Sequence, residues 1–206
     1  MRPRVVVSVV GVGLVGGEFV DQLSKLPSPG LRDQFKLLSL SSSRSTVYYG
    51  HGIDRDVWSN WRHDLKTSDV KSDVEAVATT LEQVSVQEGM IPVFVDNTSS
   101  EDVARLYPFF LNKGINIVTP NKKALSSQLT FYEDIVKGSF RTGAKFYYES
   151  TVGAGLPIIT TLENLVVTGD KVRKNTRTLS PPAGVLVSIC IPRALSGLTS
   201  FYRSQK

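Results

Sequence analysis

One cysteine, two histidines and no acidic residue beyond Asp170 are the scarcities that bound this 206-residue chain. Cys190 has no second thiol to pair with, which excludes an internal disulfide and a cysteine-based zinc site and points to a reducing compartment. Its position in the apolar run Val185–Ile191 reads as a buried structural thiol. His51 and His63 make no metal or triad spacing with each other and are assigned no role. No run approaches the roughly 20 apolar residues that a membrane span requires. Met1-Arg2-Pro3-Arg4 before the apolar Val5–Val15 has the outline of a signal peptide, but glycines interrupt the stretch and no small-residue cleavage site follows. A cytoplasmic, soluble protein with no membrane partner is expected. Internal repeats and low-complexity blocks are also lacking.

The net charge of +5 is misleading until it is mapped along the chain. Residues 171–206 carry seven basic residues; removing them from the 24 in the chain leaves 17 against 19 acidic ones, a net of −2 over 1–170. The body is therefore no polyanion binder. The tail charges are scattered without a basic-aromatic motif, so no nucleic acid partner is expected.

Val5–Val10 is a β-branched run suited to a strand buried on both faces of a parallel sheet. Val15, Phe19, Val20, Leu23 and Leu26 then fall at helical spacing, with Pro27, Pro29 and Gly30 ending the helix, and Phe35–Leu40 reads as a second strand. Residues 41–70 are polar and irregular, with four serines near Arg44 and Gly-His-Gly at 50–52, and read as a long surface loop. Further on, helices are expected over Asp73–Gln87, Asp102–Lys113 and Leu129–Val136, and strands over Ile91–Val95, Ile115–Val118 and Lys145–Tyr148. A last helix, entered through Pro157, is expected over Leu156–Val167. The alternation predicts an α/β fold, a doubly wound parallel sheet of the Rossmann type that binds NAD(P), followed by only the start of a second domain. The expected divisions are 1–150 for the dinucleotide-binding domain, 151–174 for a junction, and 175–206 for a divergent basic tail containing a turn at 180–184.

Gly11-Val12-Gly13-Leu14-Val15-Gly16 matches the dinucleotide fingerprint between a buried strand and an amphipathic helix. Gly11 permits the tight turn, Gly13 lets the backbone approach a pyrophosphate, and Gly16 lets helix and strand pack closely. At the end of the second strand an acid would hold the ribose 2′-hydroxyl of NAD, whereas a 2′-phosphate wants a cation. Here Ser41-Ser42-Ser43-Arg44 offers no acid and one arginine, which favours NADP while leaving NAD possible; a solvated loop cation is the rival reading of Arg44.

Asp96-Asn97-Thr98-Ser99-Ser100 follows an apolar strand, so Thr98 or a neighbouring amide is placed to bond the cofactor, or the segment caps the next helix. Lys122 and Lys123, after the following strand, suit a phosphate or carboxylate, or are a surface pair. Glu149 with the glycine-rich turn 150–157 offers the hard oxygens that sodium or calcium accepts.

Together, Gly11–Gly16, Val95–Ser100, Thr119–Ala124 and Glu149–Pro157 resemble homoserine dehydrogenase of the fungal single-function type, in the right order over residues 5–174. That resemblance implies NADPH-dependent reduction of aspartate semialdehyde to homoserine, in threonine and methionine biosynthesis. It implies cofactor contacts from Val12, Gly13, Leu14, Val15, Gly16 and Gly17, with Arg44, Thr98 and Lys122, the last near the nicotinamide. It implies a structural sodium ion held by Glu149 and the backbone carbonyls of Val152, Ala154 and Leu156, and a homodimer. After Lys174 the family continues into a large domain that binds substrate, supplies the catalytic lysine and acids, and dimerises. Asn175-Thr176-Arg177 departs from that pattern, and no substrate motif is visible in the tail. The expectation is an oxidoreductase by descent whose catalytic domain is missing, with a non-catalytic nucleotide-binding or regulatory module as the alternative. No catalytic residue is assigned.

Overall fold

The computed structural model of the chain describes residues 4–26, 30, 34–50 and 55–170, and of 55–59 only the backbone. The helix-ending prolines, His51, Cys190, the run Val185–Ile191 and the tail fall outside those residues. Six strands form one sheet in the order β3-β2-β1-β4-β5-β6. They are β1 (Val5–Val10), β2 (Phe35–Ser41), β3 (Thr46–Tyr48), β4 (Ile91–Asp96), β5 (Asn116–Val118) and β6 (Phe146–Tyr147). All neighbours pair in parallel except β2 and β3, which are antiparallel. The expected doubly wound sheet is present, with an antiparallel edge strand on an otherwise parallel sheet.

Alternation along β1 sends Val7 and Val9 to one face and Val6 and Val10 to the other, which is why the run carries no polar face. Ser8, fully buried, accepts a hydrogen bond from the Ser39 hydroxyl at 2.9 Å. The β1–β2 register shifts between Val7 and Ser8, so one extra β2 residue is accommodated. Leu37 and Leu40 thereby pack on the same face, while Leu38 points to the other.

The first face is covered by α1 (Leu14–Ser24) and α2 (Arg55–Thr67), through Val20, Leu23, Trp61 and Leu65. The second is covered by α3 (Val74–Glu88), α4 (Glu101–Arg105), α5 (Tyr107–Asn112), α6 (Lys123–Ser126) and α7 (Leu129–Thr142). Phe94 stacks on Phe110 at 4.0 Å between ring centroids near the middle of this larger core. A final helix, α8 (Ile158–Val167), starts just after Pro157, as expected. Among the described residues, no helix is long and apolar enough to cross a membrane.

Three expectations need correction. Residues 41–70 are not a loop: they hold β3 and α2. A hydroxyl pair, Ser41 and Thr46 at 2.8 Å, closes the β2–β3 hairpin, and among its described side chains α2 buries Trp61 and Leu65. The helix expected over Asp102–Lys113 breaks at Leu106, because Pro108 enters the first turn of α5 and has no N–H for a continuing ladder. Val15 is 63% exposed rather than on the core face of α1. The buried positions there are Gly16, Gly17, Val20 and Leu23, so glycines occupy the contact that the apolar periodicity assigned to Val15.

Phe94→Ala empties the centre of the larger core and is expected to cost about 3 kcal/mol or more. Urea unfolding of the variant against the parent chain checks it.

Candidate functional site

β1 and β4 are adjacent but lead into helices on opposite faces, so the crevice beyond their carboxyl ends is the switch point of the sheet. The chain leaves β1 through Gly11, whose φ of +86° excludes an ordinary side chain. A Cβ there would also lie 2.7 Å from Thr98 Cγ2 and 2.8 Å from the backbone of Asn97 and Thr98. Two backbone bonds stitch the turn to both neighbouring strands, Gly11 N–H to the Ser41 carbonyl at 2.9 Å and Asn97 N–H to the Val10 carbonyl at 2.8 Å. A Cβ on Gly16 would meet the Gly11 carbonyl oxygen at 2.3 Å, so α1 approaches the turn as closely as a bare backbone allows. Gly17 gives similar access to the Trp61 ring, 3.4 Å from its virtual Cβ. Gly13 differs from these three, having open space around it. It is the N-cap of α1, with no side-chain cap and no acid in the first turn. An uncapped, positive helix end therefore faces the crevice at the one glycine with room above it.

That end opens into a cleft of about 810 Å³ lined by Val12, Gly13, Leu14 and Gly17 on one side and by Ser42, Arg44 and Ser45 on the other. The structure thus brings Arg44 to the fingerprint. The Ser42 hydroxyl accepts from the Arg44 and Ser45 N–H groups at 3.1 and 3.0 Å, which fixes the turn that presents the arginine. Sequence reasoning missed the opposite wall, where α2 and the segment after it contribute Arg62, Lys66 and Lys71. Arg62 is held by Asp21 at 2.7 Å and lies over the Trp61 ring at 4.2 Å. The Arg62 guanidinium also holds the Asp21 carboxyl below the usual carboxylate range. The available signal was Val57, Trp58, Trp61 and Leu65 at helical spacing, with Arg62 and Lys66 as an i,i+4 pair beside them.

Thr98 approaches the glycine turn from β4. The helix-capping reading of the 96–100 segment is met at Ser100, whose hydroxyl accepts from Val103 N–H at 3.3 Å, and not at Thr98. Behind it sits Asp96, fully buried, with no cation among its hydrogen-bond partners in the described residues. Its Oδ1 accepts from Thr98 N–H at 2.7 Å, and its Oδ2 from the Tyr107 hydroxyl at 2.5 Å and the Asn121 amide at 3.0 Å. Burial, reinforced by the Asp96 carboxylate, pushes the Tyr107 phenol far up, so it remains a donor. The Asn121 amide also reaches the Ser100 carbonyl at 2.8 Å and Thr98 Oγ1 at 3.5 Å. Lys122 follows directly as the exposed N-cap residue of α6. Asn97 Nδ2, beside the glycine turn, is a buried donor with no partner among the described residues.

Glu149, Val152, Ala154 and Leu156 lie on one short segment leading into α8. Glu149 caps that helix: Oε1 accepts from Ile159 N–H at 2.7 Å, and Oε2 from Thr160 N–H at 3.0 Å and its hydroxyl at 2.5 Å. Burial pushes its pKa up, but these donors outweigh it and hold the carboxyl below its ordinary value. Gly153 and Ala154 have φ of +70° and +53°, which for an alanine is a strained conformation. The Leu156 carbonyl accepts from Ile158 N–H at 2.9 Å. Among the described residues, no group of three or more His, Cys, Asp or Glu side chains is gathered around a metal position.

A doubly wound sheet with a glycine turn at its switch point defines the class, an NAD(P)-binding domain of the Rossmann type. The comparisons narrow the class to a family. Residues 11–149 match a family model described as the NAD-binding domain of homoserine dehydrogenase. The homoserine dehydrogenase of Paracoccidioides brasiliensis is 39% identical over 96% of this chain, and that of Schizosaccharomyces pombe 34% over 97%. Both alignments run on past Lys174. The chain spans about half the length of these curated relatives, 53% in each case. Among solved structures, a Candida auris protein of unknown function superposes with a TM-score of 0.70 at 36% identity, covering 83% of this chain and 46% of its own. A hyperthermophilic archaeal homoserine dehydrogenase in complex with NADPH shares the fold at a TM-score of 0.58 and 20% identity, covering 80% of this chain and 50% of its own. The chain belongs to the homoserine dehydrogenase family, of which it carries the NAD-binding domain.

The two glycines are expected to separate folding from binding. Gly11→Ala adds a strained φ and a collision with Asn97 and Thr98 just after β4 and should lose about 1 to 3 kcal/mol in thermal or chemical unfolding. Gly13→Ala should keep stability within about 1 kcal/mol while weakening dinucleotide binding, since its Cβ fills only the open side.

Proposed function

We propose that this chain is the cofactor-binding part of an NADP-dependent homoserine dehydrogenase. The observation that carries the reading is the cleft wall, where Ser42 and Arg44 follow β2 without an acid and Lys66 and Lys71 stand opposite. A ribose 2′-phosphate suits that charge, whereas a bare 2′-hydroxyl leaves the cations unused. The residues fit a dinucleotide: the open space at Gly13 admits a pyrophosphate, and the unpartnered Asn97 Nδ2 beside the turn is a donor in want of an acceptor. The first turn of α1 and Gly13 would hold the phosphates, Arg44 the 2′-phosphate, and Thr98 and Lys122 the nicotinamide half. When bound, NADPH supplies the hydride that reduces the aldehyde of aspartate semialdehyde to the alcohol of homoserine, a general acid protonating the oxygen. No residue of this chain is assigned as that acid, and the chain by itself is expected to bind cofactor without turnover.

Sodium at Glu149 belongs to the same reading. Its donor set is all hard oxygen, and capping α8 keeps the carboxylate charged. The Val152 and Ala154 carbonyls accept no hydrogen bond among the described residues.

Arg44→Ala should weaken NADPH binding about tenfold and leave NADH within about twofold, measured by fluorescence titration. Equal losses for both would refute the assignment of Arg44, and turnover on adding aspartate semialdehyde would refute the cofactor-only reading. Replacing potassium by sodium at constant ionic strength should raise the melting temperature of the parent chain and leave Glu149→Gln unmoved. An identical melting temperature in both salts would remove the sodium ion from the proposal.

A further inference from the structure

The cleft explains the adenosine end of the cofactor by exposed cations, but nothing so far accounts for how Thr98 and Lys122, on separate loops, are held in a common geometry. Neither side chain is anchored by an ion pair among the described residues. Their loops leave the parallel neighbours β4 and β5, and their backbones meet through Asp96. One carboxylate oxygen fixes the Thr98 N–H, and the other collects Tyr107 and Asn121. The Asp96 carbonyl accepts the Thr119 hydroxyl at 2.9 Å, and that hydroxyl accepts Asn121 N–H at 2.8 Å. Asn121 then closes the circuit, since its Oδ1 accepts Lys123 N–H at 3.1 Å and so sets the first turn of α6, at whose N-cap Lys122 stands. Asp96, Tyr107, Thr119 and Asn121 are all at most 2% exposed.

We propose that Asp96 is the positioning residue of the nicotinamide half-site, a buried acceptor hub that holds the Thr98 and Lys122 loops together. It touches no ligand itself. Without the carboxylate Tyr107 could still donate to Thr119 Oγ1 at 2.9 Å, but Thr98 N–H would lose its acceptor. What only an acceptor-only carboxylate supplies is simultaneous reception of three donors from three segments, the 98 loop, α5 and the 121 loop. Asparagine has nearly the same shape but turns one of those oxygens into a donor, which sets N–H against N–H at one loop or the other.

This inference rests on the cofactor reading above, and the test separates the two. Two ligands are titrated against the whole chain: NADPH, and adenosine 2′,5′-bisphosphate, which lacks the nicotinamide half. Asp96→Asn should weaken NADPH by about tenfold and leave the bisphosphate within about twofold. Tyr107→Phe, which keeps the buried ring and deletes one donor, should move in the same direction by a smaller factor, guarding against an Asp96→Asn chain that does not fold. A parallel fall for both ligands, or unchanged NADPH affinity in both variants, overturns the positioning role while leaving the cofactor reading intact. Failure of the parent chain to bind either ligand removes the cofactor reading and this inference with it.

Discussion

The contact on which the rest of the molecule depends is between backbones, where α1 passes over the β1 turn with no side chain between Gly16 and the Gly11 carbonyl. Any Cβ at Gly16 or Gly11 must displace either the helix or the β4 loop, and both displacements spoil the crevice. α1 is the more exposed of the two partners, and its tilt is set a second time by the Asp21 carboxylate, which receives Trp61 at 3.1 Å and Arg62 at 2.7 Å. That ion pair is 61% exposed on the arginine side and contributes little alone. Its value lies in docking α2, and α2 is what brings Lys66 to the cleft. A close backbone approach, a docking pair and a charged wall therefore form one chain of dependence.

The two ends of the cleft are built by different physics. At the β2 end the side chains are long, charged and exposed, so recognition there is electrostatic and tolerant of position. At the β4–β5 end the exposed Lys122 and half-buried Thr98 stand on a buried layer of Asp96, Tyr107, Thr119 and Asn121, so geometry is imposed by hydrogen bonds that are costly to leave unmade. This division suits a dinucleotide whose phosphorylated half needs only affinity, while its reactive half needs orientation.

Most of the fold was legible because its elements carry a local signal: an apolar run for β1, glycines at the turn, an Asp73 N-cap that closes on Ala76 N–H at 3.0 Å. What stayed hidden was decided by distant partners. β3 is three residues long and held by a hydroxyl pair, whereas α2 carries Val57, Trp58, Trp61 and Leu65 at helical spacing, a signal hidden only by the polar residues around it. The convergence of Arg44, the glycine turn and the Thr98 loop was legible because each follows the carboxyl end of a strand in one parallel sheet. The role of Asp96 was not, since a carboxylate after an apolar strand gives no hint that its partners lie eleven and twenty-five positions onward. Glu149 was legible as a charged group in an oxygen-rich turn, yet its grip on the first turn of α8 depends on how that helix folds back.

Charge shows the same separation between composition and place. Residues 1–170 carry a net −2, which by itself repels a dinucleotide bearing phosphates. Around the cleft the balance reverses, with Arg44, Arg62, Lys66 and Lys71 against Glu18 and Asp69. Because exposed charges are screened beyond about 8 to 10 Å, a ligand in the cleft responds to this local excess more than to the sum over the domain. The excess also stands beside the uncapped end of α1, whose partial positive charge adds to it at short range. The positive excess in an otherwise acidic domain is therefore local, confined to a crevice shaped by Gly11, Gly13 and Gly16.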